Sequence, residues 1–345
     1  MTTRLPTSSG TSPQPSHSRF LLISACVAIA IALVILAGFE IAKPIAPKVS
    51  AAQSGIPAVG TYARHHVVIS LPVHTAAYVG AFAKGVPESY TPMVSFAAAT
   101  SSKPNLALYY SGWYEKFRYG FGIQAGKHGS VPFIQIEPTR ARFAGIVAGL
   151  YDRYLKLFAT AVAAYGARTG HGVVIGFGHE MNGTWYRWSY KHVRPKLFVA
   201  AWRHIVNIFR QQGADDVTWL WTVNIIDKNQ GILNPARWWP GSSYVTWVGI
   251  DGYYLRPSWT FSSLFGPTIK AIHTFTVDPI LISETGAAPA DHQAAKISNL
   301  FAGVRAYGLL GFVWFDSKGV QDWRLRSAAA LTAFRHGAQR DGRVP

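Results

Sequence analysis

Gly172-Val-Val-Ile-Gly-Phe-Gly-His-Glu180 is an apolar run that stops on a carboxylate and opens into Met-Asn-Gly183. A second stretch, Pro279-Ile-Leu-Ile-Ser-Glu284, ends the same way and continues as Thr-Gly286. Short apolar runs bounded by Gly and Pro predict buried strands. A glutamate at the C-terminal tip of such a strand is fixed by the sheet behind it and is presented where a (β/α) barrel builds its site. One such residue reads as a strand-end side chain in solvent. Two of them, with aromatic residues around them, suit acid/base or nucleophilic chemistry.

Outward from these two stretches, apolar runs recur at Tyr78–Phe82, Leu106–Tyr110, Val131–Ile136, Val173–Phe177, Val217–Val223, Val245–Ile250, Pro279–Ile282 and Leu310–Phe315. Amphipathic segments lie between most of them, best developed in Phe143–Tyr165, Pro195–Gln211, Leu264–Phe275 and Ala294–Tyr307. Eight strands separated mainly by helices predict repeated right-handed βα units in an α/β domain with a parallel sheet. Closure of eight such units gives a (β/α)8 TIM barrel. The competing architecture is an open doubly wound sheet, but no Gly-x-Gly-x-x-Gly follows an early strand and no Gly-Lys-Ser/Thr phosphate loop is present.

The chain before the barrel has a different composition. Residues 1–19 are rich in Ser, Thr and Pro without periodicity and read as a disordered tail. Residues 20–39 carry no charge. Twenty helical residues span about 30 Å, the hydrocarbon thickness of a bilayer, and exceed the h-region of a cleavable signal peptide. They predict a single transmembrane helix retained as an anchor. Residues 40–64 read as a Pro- and Ala-containing tether, and 65–345 as the catalytic domain. The one cysteine, Cys26, lies within the apolar segment, so no intrachain disulfide can form.

The 345 residues are 49% apolar, enough to bury a large core. Tryptophan occurs twelve times, often beside the candidate site residues, where indoles can stack on the C–H faces of sugar rings. The formal net charge of +17 is spread along the chain rather than gathered in a tract. That spread does not indicate a nucleic-acid stripe and favours anionic surroundings such as acidic wall polymers or lipid head groups. His179-Glu180 opens a zinc-protease pattern, but Gly183 stands where the second histidine must be. A Gly-x-Ser-x-Gly elbow is also missing, so neither a metal nor another cofactor is expected.

After the tether the sequence holds five glutamates: Glu88, Glu115, Glu137, Glu180 and Glu284. The stretch His179-Glu180-Met-Asn-Gly-Thr-Trp185-Tyr-Arg-Trp188 resembles the acid/base signature of glycoside hydrolase family 26, the β-mannanase family of clan A. Ile282-Ser-Glu284-Thr-Gly resembles its nucleophile segment on strand seven, and Val248-Gly-Ile-Asp-Gly-Tyr253 its strand-six segment. Phe312-Val-Trp-Phe-Asp316 with Asp322-Trp323-Arg324 resembles its strand-eight region. The resemblance spans about Tyr78 to Leu331. It implies Glu180 as acid/base, Glu284 as nucleophile and Tyr253 as a contact of the nucleophile. Phe177, Trp185 and Trp188 near Glu180 are expected to raise its pKa.

His179 and Asn182 are candidates for bonds to sugar hydroxyls or to the carboxylates. Trp185 and Trp314 are the candidate stacking platforms beside the cut, with Trp113 and Trp188 as further ones. Glu137, in Ile136-Glu-Pro138, is a possible third carboxylate of the mouth. It stands where family mannanases often present a histidine. The resemblance therefore implies a monomeric, retaining endo-β-glycanase acting on mannan or glucomannan, with mixed-linkage β-glucan and xylan left open as substrates. Such chemistry places the domain on the outer side of the cell membrane. A polysaccharide-binding barrel without turnover is the reading from another class.

Overall fold

A computed structural model describes residues 70–319 and 321–343. The predicted tail, membrane anchor and tether lie outside the described residues. Among the described residues, no helix is long and apolar enough to cross a membrane.

Each of the eight apolar runs forms a strand: β1 Tyr78–Ala83, β2 Leu106–Gly112, β3 Val131–Glu137, β4 Val173–Phe177, β5 Val217–Asn224, β6 Trp247–Asp251, β7 Ile280–Thr285 and β8 Gly311–Asp316. They pair in parallel and in chain order, and β8 returns to β1, closing the barrel. Successive residues of a strand face opposite sides of the sheet, so each strand serves two cores. Inside the barrel, Leu108, Phe133, Val174, Leu220, Trp247, Leu281 and Val313 form one apolar cluster. Outside, residues such as Ile134, Ile175, Trp219, Ile250 and Phe312 join the larger cluster beneath the helices.

The helices are α1 Thr91–Thr100, α2 Tyr119–Lys127, α3 Phe143–Val147, α4 Asp152–Thr169, α5 Pro195–Gln211, α6 Phe261–Ile272, α7 Gln293–Ala306 and α8 Ala328–Arg340. Helix α5 starts with a proline, whose missing N–H costs nothing in a first turn. It buries Phe198, Trp202, Ile205 and Phe209 on one face, and Phe209 meets Trp219 of β5 at 5.1 Å between ring centroids. Emptying a buried position such as Trp202 would cost about 3–5 kcal/mol.

The single helix expected over Phe143–Tyr165 is two helices. Gly149, with φ +79°, turns the chain between α3 and α4. A larger departure follows β5, where two 3-10 turns, Lys228–Gln230 and Pro235–Trp238, replace a helix. This long connection returns over the C-terminal mouth of the barrel and supplies part of its wall.

Candidate active site

The polar content of the barrel interior rises toward the C-terminal end of the strands. Gln135 donates to the Thr222 hydroxyl at 3.0 Å, and Ser283 donates to Asp251 at 2.6 Å. Four buried acids stand at this end: Glu137 at the end of β3, Glu180 after β4, Asp251 at the end of β6 and Glu284 in β7.

Glu180 lies beyond the strand rather than on it. Strand β4 stops at Phe177, and the chain turns through Gly178 (φ +57°) and Glu180 itself (φ +56°). A left-handed conformation at a residue with a Cβ costs about 1–3 kcal/mol and persists only where neighbours fix it. Here the Glu180 N–H donates to the Thr222 carbonyl of β5 at 3.0 Å, and the Gly183 N–H closes the turn on the Glu180 carbonyl at 2.9 Å. The side chain is held as firmly. Asn224 donates its amide N–H to Glu180 Oε1 at 2.5 Å, and the Trp185 indole donates to Oε2 at 2.7 Å. That indole lies over Gly183: a Cβ there would sit 2.5 Å from the ring, so the glycine is needed to seat it.

Glu284 occupies an irregularity of β7, where the register shifts against both β6 and β8. Such an irregularity re-aims a side chain within a ladder. Glu284 Oε1 accepts from the Tyr110 hydroxyl, and Oε2 accepts from Tyr253 at 2.6 Å. Both tyrosines hold their protons firmly, because burial and the nearby carboxylates push their pKa values well up. They therefore remain donors.

These contacts separate the two acids. Burial and the charge of Glu284 push Glu180 up to about 8, against the opposing bonds from Asn224 and Trp185. Burial also raises Glu284, but its two tyrosine donors restrain it to about 6. Near neutral pH, Glu180 keeps its proton while Glu284 is ionised. Glu137 is pushed up to about 8 by burial and by the charges of Glu284 and Glu115. Asp251 is raised well above the carboxylate range by burial and by Glu284 and Glu180.

An open cleft of about 450 Å³, counting the solvent space at its mouth, adjoins Glu180. Trp185, Asn224 and Tyr253 line it together with Ile225, Gln230, Ile232, Leu255 and Trp259.

Of the residues singled out in the sequence, Glu180, Glu284, Trp185, Tyr253 and Glu137 converge on the mouth. Others do not serve as expected. Trp314 is fully buried, bonds its indole N–H to the Trp323 carbonyl at 3.0 Å and meets Phe334 of α8. Strand alternation turns it away from the barrel axis, so it is no sugar platform. Trp188 is buried face to face with Tyr186 at 4.2 Å and donates to the His179 carbonyl. Trp113 is buried among Tyr151, Tyr154 and Phe177. Both are packing residues.

Asn182 is also fully buried and spends its amide on backbone. It donates to the Asn224 and Leu233 carbonyls and accepts from the Asn224 N–H, all at 2.9 Å. It acts on Glu180 through Asn224 rather than by contact. His179 pairs with the Tyr186 hydroxyl at 3.0 Å, and burial lowers its pKa to about 3, so the ring is neutral. Tyr110 and Asn224, which touch the two carboxylates directly, were missed. Each is a polar group at the C-terminal end of an apolar run, the same signal that picked out the glutamates. Among the described residues, no group of three or more His, Cys, Asp or Glu side chains is arranged to hold a metal ion.

A closed eightfold βα barrel whose mouth carries two carboxyl groups, one protonated and one ionised, has the parts of a glycoside hydrolase. Residues 167–284 match the model of glycosyl hydrolase family 26. Endoglucanase H of Acetivibrio thermocellus is 28% identical over 268 residues, which is 73% of this chain and 29% of that protein. The chain thus spans under a third of that relative's length. Among solved structures, a GH26 β-mannanase from Bacteroides ovatus superposes with a TM-score of 0.55 at 14% identity, over 76% of this chain and 88% of that one. GH26C from Muricauda sp. MAR_2010_75 gives 0.59 at 13% identity, over 77% and 86%. A Cellulomonas fimi endo-β-1,4-mannanase double mutant gives 0.58 at 15% identity, over 76% and 71%. The match to glycosyl hydrolase family 26 thus covers the segment that runs from before β4 to Glu284 and carries both carboxyl groups.

Proposed function

We propose that this protein is a retaining endo-β-glycanase that cleaves a β-1,4-linked polysaccharide of the mannan or glucomannan type. The observation that carries the reading is the split between the two carboxyl groups: Glu180 bonded to an amide and an indole and pushed up to about 8, Glu284 bonded to two tyrosine hydroxyls and held to about 6. In the first step Glu284 attacks the anomeric carbon as Glu180 gives its proton to the departing oxygen. Esterification removes the charge of Glu284, which is one of the two causes of the raised pKa of Glu180. Glu180 therefore becomes the stronger acid once it is needed as a carboxylate, and in the second step it takes a proton from water.

A second reading of the substrate, a mixed-linkage β-glucan, is supported by Glu137 at the end of β3, where family mannanases often present a histidine. It is further supported by the name of the sequence relative, an endoglucanase. The uncharged residues 20–39 support a single-pass anchor with the barrel on the outer face of the membrane. Protection of the barrel from protease added to intact cells would contradict that placement.

The deciding experiment is reducing-sugar release by the full chain from mannan, glucomannan, mixed-linkage β-glucan and xylan, beside Glu180→Gln and Glu284→Ala. Release by the parent and loss in both variants is expected. Binding to a polymer with no release by the parent protein would instead support a binding barrel.

A further inference from the structure

Charge is uneven around the barrel, although no run of consecutive cations marks it in the sequence. Residues 140–210 hold eleven Lys and Arg against two acids, whereas residues 211–343 hold twelve against ten. Of those two acids, Glu180 is buried and Asp152 is spent on His204 at 2.7 Å. The basic stretch builds α3, α4 and α5, which pack side by side on the flank outside β3 to β5. Arg140, Arg142, Arg153, Lys156, Lys191 and Arg194 are exposed there and form no ion pair among the described residues. Apolar exposure is uneven in the same place. Of eight large apolar side chains exposed among the described residues, four belong to this flank: Tyr114, Val147, Leu150 and Leu157. Leu150 and Leu157 leave 76% and 65% of their surface in water, and Tyr114 meets Tyr151 and Tyr154 edge-on. Arg153, Lys156 and Leu157, three and four residues apart, share the outward face of α4. Aliphatic side chains rimmed by long cationic ones mark a surface that meets another body.

We propose that this flank docks on an anionic lipid bilayer, with Leu150 and Leu157 entering the head-group region and the surrounding Arg and Lys meeting lipid phosphates. Binding of this kind grows with buried apolar surface and with attraction to anionic lipid, and the flank supplies both. A soluble polyanion would satisfy the cations but leave the leucines in water. A second copy of the same flank would bring like charges together. The choice of a bilayer rests also on the anchor read from residues 20–39. The described barrel begins at residue 70, and the thirty residues between reach at most about 100 Å, so a barrel carried on that anchor stays within reach of the surface. Helix α4 runs along the flank against the direction of the strands. A barrel lying on it holds its axis along the surface and leaves its mouth open sideways.

The test attaches an environment-sensitive fluorophore to the full chain at Leu157→Cys, at Leu150→Cys or, as a control, at Val277→Cys, each with Cys26→Ser. Val277 is 93% exposed in the connection between α6 and β7, on another side of the barrel. The labelled chain is mixed with vesicles of phosphatidylcholine alone or with an equal share of phosphatidylglycerol. On the anionic vesicles the emission of the Leu157→Cys and Leu150→Cys labels is expected to move to shorter wavelength, and to return as salt screens the cations, while the Val277→Cys label stays put. Arg153→Gln combined with Lys156→Gln should lower the ratio of docked to free barrels about tenfold. Thermal melts that match the parent confirm that the variants fold. Labels at both leucine positions that stay put on anionic vesicles, or move equally on both kinds, would overturn the docking. So would equal movement at Val277→Cys, movement without vesicles that grows with protein concentration, or salt-sensitive binding to polygalacturonate with no movement on vesicles. Retention on phosphatidylcholine vesicles through a high-salt wash reads the anchor separately. Its loss would overturn the anchor, while the shift on anionic vesicles still decides the docking.

Discussion

Glu180 and Glu284 are the same residue type in one low-dielectric mouth, and their hydrogen-bond partners set them apart. A reaction that needs Glu284 ionised loses rate as pH falls through about 6, and one that needs Glu180 protonated loses rate as pH rises through about 8. The profile of kcat/KM against pH is therefore expected to be a bell with its limbs near those values. Glu180→Gln should remove the alkaline limb and lower kcat by about 10²–10⁴ for substrates with a poor leaving group. Tyr253→Phe deletes one of two donors to the Glu284 carboxylate, an interaction worth about 1.5–3 kcal/mol. Its acid limb is expected to move to higher pH and its kcat/KM to fall about tenfold or more. An acid limb that stays in place would show that the tyrosine does not stabilise the ionised nucleophile.

At the scale of elements, the irregular segments carry the site. The turn after β4 is tied to β5 by Asn182, whose three amide bonds to backbone leave no freedom to Asn224 or to the 233 segment. Asn182→Ala is expected to lower the melting temperature, with a stability loss of about 1–3 kcal/mol for the buried groups left without partners. It should also lower kcat, because Asn224 holds Glu180. Thermal melts beside initial rates would separate the two effects. The strands and both glutamates were legible because buried parallel strands read as continuous apolar runs and their ends as polar stops. Helices α1, α2 and α8 were less so: α1 is an Ala-rich segment with little contrast between its faces, and α2 carries three glycines inside it. The outward turn of Trp314 was in principle legible from its even spacing to Phe312, which also packs outside the barrel. The burial of Trp188 was not, because it depends on stacking against Tyr186 in a loop with no period.

Across the whole molecule, four carboxyl groups are buried at one end of the barrel and all are raised: Glu180 and Glu137 to about 8, Glu284 to about 6 and Asp251 well above its ordinary value. A carboxyl group whose folded pKa lies above its unfolded value binds its proton more tightly when folded. Its contribution to stability is complete below about pH 4.5, declines through the interval up to the folded pKa and is gone above it. The melting temperature is therefore expected to be lower at pH 9 than at pH 5. Glu137→Gln should flatten that slope, which calorimetry across the pH range would measure. The same proton equilibrium has an optical consequence. The indole of Trp185 is bonded to the carboxyl that must keep its proton, so the emission difference between the parent and Trp185→Phe isolates one fluorophore among twelve. That difference should change as Glu180 titrates, allowing the charge state of the resting protein to be followed by light, without any glycan in the cuvette.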